Sequence, residues 1–545
     1  MSLEIIEHRQ QWVLDAFRQG EFDQIEVIGE ADEKEFFELC FKEKILEGLA
    51  KAMPTARKKE EVPLWFELAA NLSLKLHLEN SYSAFERVVQ CGALLSSMPP
   101  DLASKHLDPQ TQEIWIPCRG FNDKNTYPRK TPCDQDTLRK AAKDVEDSRW
   151  QEWFNGPVQQ EFQKYGFFDP QGIFIGDGTY LFVPDNPAYE GSVVMWFDEH
   201  NHPVDYNKLS PQERQTAHRE RCYKLVSLLH VRGDCYVYAG LRLLPGNAHE
   251  CPVLYEMMEN FVRAVGSGIM KLLILDRGFI DGKNIGRCKQ AWNIDVLIPM
   301  KRKMDIWQDA WALGKTEPWQ SVPVKAPEPK PSLQKKPEHL ARAEAKRQRT
   351  LAERRPPPDP AKTQTHHDYC WIKGFDSWSE LPVPIHVSLM RDRYADGHVE
   401  EWALMTTREY AQMEGPRTDY GLRVKIEERH RTLKCFHDLS DFHSRSLNVI
   451  AAQSVFILLS YTLRQWQLWH LHAEELSDRS PEFIHRRLNV RKQYIVIYLA
   501  RAYAQIPLLQ FAREVLQLEG EARQKALVKV RILEQSLLSP LDDSC

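Results

Sequence analysis

"GIFIGDGTYLFV", residues 172–183, is the stretch on which the fold turns. Its β-branched and aromatic residues are those of a strand. Asp177 sits in the middle of this apolar text. An unpaired carboxylate is costly in such surroundings, so Asp177 reads as a ligand rather than a turn residue. Downstream, "CYKLVSLLHV" and "CYVYAGLRLLP" flank the turn Val231-Arg232-Gly233-Asp234 and predict a hairpin. "NAHECPVLYEMMENFVRAVGSG" predicts an amphipathic helix ended by glycines. "MKLLILD" is a short apolar strand with Asp276 at its C-terminal end, and "IDVLIPMK" is another. The order is strand, hairpin, helix, strand, strand, with an insertion over 184–220 after the first strand.

The chain has 545 residues, 42% apolar and 27% charged, with a formal net charge of -5. That length predicts more than one domain. The charge balance excludes a uniformly cationic nucleic-acid binder, so such contacts must come from local patches. The eleven cysteines include no C-x-x-C pair. Cys118 and Cys133 bracket a loop, but no second pair completes a zinc site. Unpatterned thiols fit a reducing cytoplasm. The opening MSLEIIEHRQQ has no apolar signal core. The longest apolar run, VIAAQSVFILLSY, is about 13 residues against the ~20 of a membrane span. The expectation is a soluble cytoplasmic protein with no membrane partner.

Residues 1–165 carry apolar positions at helical spacing and predict a helical N-terminal domain, either a plain bundle or one holding a helix-turn-helix near "ENSYS". "CRGFNDKNTYPRKTPC" reads as a solvated basic loop. Residues 323–362 are rich in Pro, Lys and Arg and predict a disordered basic linker. Order returns with "PVPIHVSLM" and "HVEEWALMTT", two strands. Residues 445–475 and 490–535 predict helices.

The stretch "DYGLRVKIEERHRTLKCF", residues 419–436, pairs Glu427 with Glu428 among cations. On one continuous helix Tyr420, Arg423, Glu427 and Lys434 fall within about 60° of one another, and Glu428 falls well away. Leu422, Ile426 and Leu433 make an apolar stripe beside them. Glu427 is therefore the functional glutamate of the two. Arg423 and Glu427 alone also read as an i,i+4 surface pair, and Asp276 alone as a strand-end turn. In an RNase H-like sheet the first and fourth strands are neighbours. Asp177 and Asp276 would then face each other, and a helix could add a third acid.

Tyr420-x2-Arg423-x3-Glu427-x6-Lys434 resembles, at every spacing, the Y(2)R(3)E(6)K signature of DDE transposases of the insertion-sequence-four family. "IGDGTYLF" and "LLILDRGFIDG" resemble that family's first and second aspartate regions, and "VLIPMKRKM" and "LKCFHDLSDFHSRS" its flanking text. The resemblance covers about 170–300 and 380–465.

It implies an α/β fold with an RNase H-like catalytic core, a β-rich insertion, a helical N-terminal domain and a helical C-terminal region. The expected divisions are 1–165 for binding DNA ends and 166–300 for the first part of the core. The insertion, with its linker, would span 301–410, the second part of the core 411–475, and a C-terminal region able to dimerise 476–545. Asp177, Asp276 and Glu427 would be the catalytic acids and would hold two Mg²⁺ ions, with Mn²⁺ able to substitute. Tyr420, Arg423 and Lys434 would contact DNA. Trp371 and Trp378 would be core residues or a trap for a flipped base. The partners implied are terminal inverted repeats and target DNA, with a homodimer in the synaptic complex and a nucleoid-associated location. A nuclease of the same fold without strand transfer, or a domesticated DNA-binding relative, is the alternative.

Overall fold

The computed structural model describes residues 4–538 except 29–30, 59–61, 86–87, 89–93, 99–104, 108–113, 116–132, 325–362, 482, 485–493 and 501. The loop expected at 118–133 and the linker expected at 323–362 therefore lie almost wholly outside the described residues. The chain divides into two compact units. One comprises Met1–Asp169, Gly178–Gly266 and Glu427–Cys545; the other comprises Pro170–Asp177 and Ser267–Ile426. The division falls between Asp177 and Gly178, within one strand.

That strand is β1, Gly172–Val183. The expected hairpin follows as β2, His218–Arg232, and β3, Cys235–Pro245. Arg232 pairs with Cys235 around Gly233 and Asp234, and Gly233 takes φ 55°, where glycine is unstrained. Helix α1, Glu250–Val265, buries Leu254, Met258 and Phe261 on one stripe. Gly266 ends it at φ 94°, its N–H donating to the Val262 carbonyl at 2.9 Å. Then come β4, Met270–Leu275, and β5, Asp295–Pro299.

In the second unit β1, β4 and β5 are parallel neighbours, with Leu275 opposite Gly176 and Ile274 opposite Leu297. Leu272, Leu273, Ile274 and Leu275 are all buried, which is why β4 reads as an unbroken apolar run rather than an alternating one. The insertion extends this sheet beyond β5. Strands β6, Gln364–Phe375, β7, Ile385–Tyr394, and β8, Val399–Thr406, are joined antiparallel, and β8 pairs with β5.

In the first unit the sheet runs β1, β2, then the short strands Val193–Phe197 and Pro203–Val204, with β3 also on β2. β3 has backbone groups that helix side chains satisfy. Asn155 accepts from Leu241 N at 2.8 Å and donates to its carbonyl at 2.9 Å. Gln151 accepts from Leu243 N at 2.9 Å and Thr462 from Tyr238 N at 3.2 Å. Buried amides demand such partners, and a covered edge cannot template further pairing.

Two expectations need correction. Helix was expected across 490–535, yet Tyr494–Leu499 and Ala502–Pro507 are strands, and helix resumes only at Leu508–Gln517 and Gly520–Leu538. "YIVIYL" is β-branched and aromatic throughout, and its pairing with distant chain overrides a helical reading of the apolar pattern. The N-terminal domain was expected to be helical, yet Glu4–His8 and Gln24–Ile28 join those same strands in a six-stranded sheet. Val13, Phe17 and Phe22 share one core there with Ile495, Ile497 and Phe511. Ile497→Ala should therefore cost about 2–5 kcal/mol in urea unfolding, while Leu509→Ala, at a side chain 72% exposed, should stay within about 0.5 kcal/mol. Equal small effects would show that the terminal sheet contributes no core.

Candidate catalytic site

Asp177 and Asp276 end up together because β1 and β4 run parallel and in register. Leu275 lies opposite Gly176, so the next residue of each strand is an aspartate. Asp177 is 8% exposed. Asp276 leads into a short turn at Arg277–Phe279, but its carboxylate makes no capping bond there. The turn reading of Asp276 thus does not account for its side chain. The Arg423 guanidinium does: Nη2 lies 3.7 Å from Asp177 Oδ1 and 3.6 Å from Asp276 Oδ2. These are ion-pair distances, longer than hydrogen bonds. One cation thus offsets two acids that would otherwise repel.

Arg423 reaches this place from a kinked approach. Helix α2, Gly415–Gly421, stops before it, and α3, Val424–Phe436, starts after it. Between them Arg423 N donates to Tyr420 O at 2.9 Å and Ile426 N to Arg423 O at 3.2 Å, both three-residue turns. The projection onto one continuous helix is corrected accordingly: Tyr420 ends one helix and Glu427 lies in the first turn of the next. The insertion fixes α2. Arg417 donates to both oxygens of buried Asp392, at 2.6 and 3.2 Å, and lies 5.0 Å over the Trp402 ring. His367 and Trp402 complete the ring of contacts around Asp392, at 2.7 and 3.1 Å. Such a network costs little only because every charge in it is paired.

Tyr420 packs its ring 6.3 Å from Trp402. Burial pushes its phenol up to about 12; Arg423 pulls it back and Asp276 pushes it further. Tyr420 is therefore a neutral hydroxyl donor at any ordinary pH. Trp371 stacks on His386 at 5.5 Å, and Trp378 lines an apolar recess with Val296 and Ile385. Both serve packing in this structure.

The rest of α3 docks within the first unit. His430 Nε2 is 2.8 Å from Ser227 Oγ, and Arg429 Nη1 donates to Asp478 at 2.7 Å. Lys434 Nζ donates to Thr179 Oγ1 at 3.0 Å, two residues along β1 from Asp177. Glu427 is exposed, and Glu428 lies 3.7 Å from Arg429 Nη2. The structure brings Asp177, Asp276, Arg423 and Tyr420 together. Among the described residues no group of three His, Cys, Asp or Glu side chains is gathered closely enough to hold a metal.

Two residues behind β1 were not singled out from sequence. Lys224 and Glu250 form an ion pair at 3.5 Å, and Lys224 also donates to the Ala248 carbonyl at 3.0 Å. A Cβ at Gly178 would collide with Glu250 Oε2. The glycine after Asp177 was the one visible signal.

Residues 189–463, half of the chain, match the family described as Transposase DDE domain. The match includes Asp276 and the block from Tyr420 to Lys434, and begins just after Asp177. No curated protein matches the chain. Among solved structures, the cryo-EM structure of a piggyBac transposase synaptic complex with hairpin DNA is similar at 11% identity and a TM-score of 0.36, covering 94% of this chain and 87% of that one. At that score the likeness carries no argument about the fold. Gly178→Ala should cost no more than about 0.5 kcal/mol in urea unfolding, because what it meets is the end of the flexible Glu250 side chain, and Glu250→Ala in the same chain should remove that cost. A double-mutant cycle with no coupling between the two positions would remove Glu250 from the support of β1.

Proposed function

The chain belongs to the transposase DDE-domain family, and from that premise we propose that it cuts DNA at transposon ends and joins them to target DNA, with Asp177, Asp276 and Glu427 as its catalytic acids. The observation that carries this reading is the pair of aspartates, Asp177 within β1 and Asp276 at the end of its parallel neighbour β4, sharing one guanidinium. The strand order supports it too. From β1 the chain pairs β4 and then β5 in one unit, and β2 and then β3 in the other, the order of an RNase H-like sheet.

The acids fit a divalent cation. Two carboxylates already gathered around a guanidinium form a hard oxygen donor set of the kind Mg²⁺ or Mn²⁺ takes. Asp177 and Asp276 would hold the metal, and Glu427, four residues beyond Arg423, would complete the set. When bound, two such ions supply a lowered pKa for the attacking water or 3′-OH and neutralise charge on the leaving oxygen. The chain's own groups do the rest. Arg423 offers a planar fork and Lys434 a point charge to the phosphates of the transposon end. Tyr420, neutral up to about pH 12, donates a hydrogen bond to phosphate instead of repelling it. Reaction is in-line: an oxygen nucleophile attacks the scissile phosphorus, and the 3′ oxygen departs on the opposite side. The DNA partners are terminal inverted repeats and target DNA, bound by a homodimer.

Asp177→Asn, Asp276→Asn and Glu427→Gln should each abolish Mg²⁺-dependent end cleavage and leave end binding within a few fold, while Glu428→Gln keeps most activity. The check is a cleavage gel beside a binding titration on inverted-repeat DNA. An active Glu427→Gln beside a dead Glu428→Gln would reverse the assignment of the third acid.

The cationic face is tested separately. Arg423→Ala and Lys434→Ala should each weaken end binding and make the slope of log K against log salt shallower by about 0.9. An unchanged slope in both would confine these residues to holding Asp177, Asp276 and Thr179.

A further inference from the structure

A cavity of about 480 Å³ lies in the first unit, away from the aspartates. Lys75, His77, His437, Arg464 and Arg479 line it, and among the described residues no carboxylate does. Lys75 is 4% exposed, yet among the described residues its Nζ donates only to neutral oxygens, the Glu79 carbonyl at 2.9 Å and Asn80 Oδ1. An ammonium has three donors, so one remains. His437 Nδ1 has no hydrogen-bond partner among the described residues. Burial pulls Lys75 down to about 7, with Asp438 and Glu79 opposing. Burial, Arg464 and Lys75 together push His437 down to about 3, so that ring is neutral. The wall of the space is thus basic, with Glu33 3.8 Å from His77 and Asp438 and Glu79 acting on Lys75 from outside the lining. A recess lined by one sign of charge concentrates ions of the other.

The size and remaining walls narrow the ligand. The volume falls in the range of small-molecule sites and far exceeds what one inorganic ion fills. Leu78, Tyr461 and Ile484 add apolar surface beside the cations. We propose that this cavity binds a nucleotide-sized organic phosphate, its phosphate held by Lys75, Arg464 and Arg479 and its ring against Tyr461 and Ile484. Arginine suits the task because its fork matches phosphate oxygens two at a time. Arg479 is exposed and lies over the Phe483 ring at 5.6 Å, so it guards the rim. Thr432, on α3, also lines the cavity. The ligand would therefore touch the helix that carries Glu427. The proposal rests on the cavity alone and stands apart from the DNA chemistry.

The test is calorimetric titration of the full-length protein with AMP, with adenosine, and with a 5′-phosphorylated oligonucleotide. AMP should bind at one site, and adenosine at least about tenfold more weakly. Arg479→Ala, an exposed substitution that should leave the fold intact, should weaken AMP by about tenfold, and Lys75→Met by more. AMP should also raise the melting temperature of the parent but not of Lys75→Met. Should Lys75→Met fail to fold, Arg479→Ala alone decides. No AMP binding, or AMP affinity unchanged in Arg479→Ala, would overturn the proposal. Binding of the oligonucleotide without AMP would do so as well, and would assign the cavity to a DNA terminus.

Discussion

Two carboxylates brought side by side by adjacent parallel strands repel each other unless a cation lies between them. Here Arg423 is that cation, 3.7 Å from Asp177 and 3.6 Å from Asp276. The constraint reaches outward in two directions. The aspartates meet only because β1 and β4 are parallel, and parallel strands need a long crossover, here β2, β3 and α1. The arginine meets them only because the insertion holds α2 at the correct place, through Arg417 on Asp392. The β-rich insertion is therefore part of the apparatus that sets the acid pair, not a decoration on it.

The same guanidinium helps hold the two acids together. Asp177 is buried and Asp276 half-buried, so a side-chain cation beside both offsets their repulsion. Arg423 is attached just past the end of a short helix, in a three-residue turn. In the proposed reaction it exchanges carboxylate oxygens for phosphate oxygens, a swap between equivalent partners that costs little.

Much of the core was legible. β1, the hairpin, α1, β4 and β5 follow from apolar runs, a Gly-Asp turn and a glycine stop, all local signals. Asp177 was legible as a charge out of place, and Asp276 as an acid at a strand end. What was hidden depends on distant chain. Strand β6, "QTHHDYCWIKGF", carries the polar pair His367 and Asp368 because Asp392 and Arg393 of β7 pair with them. "YIVIYL" became strand because residues near the N-terminus pair with it. The break at Leu422–Arg423 directly follows Gly421, a stop that the helical projection ran straight through. The long apolar helix Leu447–His470 meets the length and composition of a membrane span, yet 83% of its apolar window is buried within the protein, where it backs β3.

The two adjacent glutamates differ in what the helix asks of them. Leu433, Arg429 and His430 are buried and attach α3 to its own unit. Glu428 lies beside Arg429, whose stronger partner is Asp478 at 2.7 Å. An exposed acid in that role contributes at most about 1 kcal/mol. Glu427 sits in the first turn, where the helix dipole favours an acid by about 0.3–1 kcal/mol. The docking contacts fix the rotation of α3 about its axis through His430 on β2 and Lys434 on Thr179 of β1. Once that rotation is fixed, the direction of Glu427 is fixed with it. A helix anchored by its basic and apolar residues thus carries Glu427 at its N-terminal end, in a direction that packing sets.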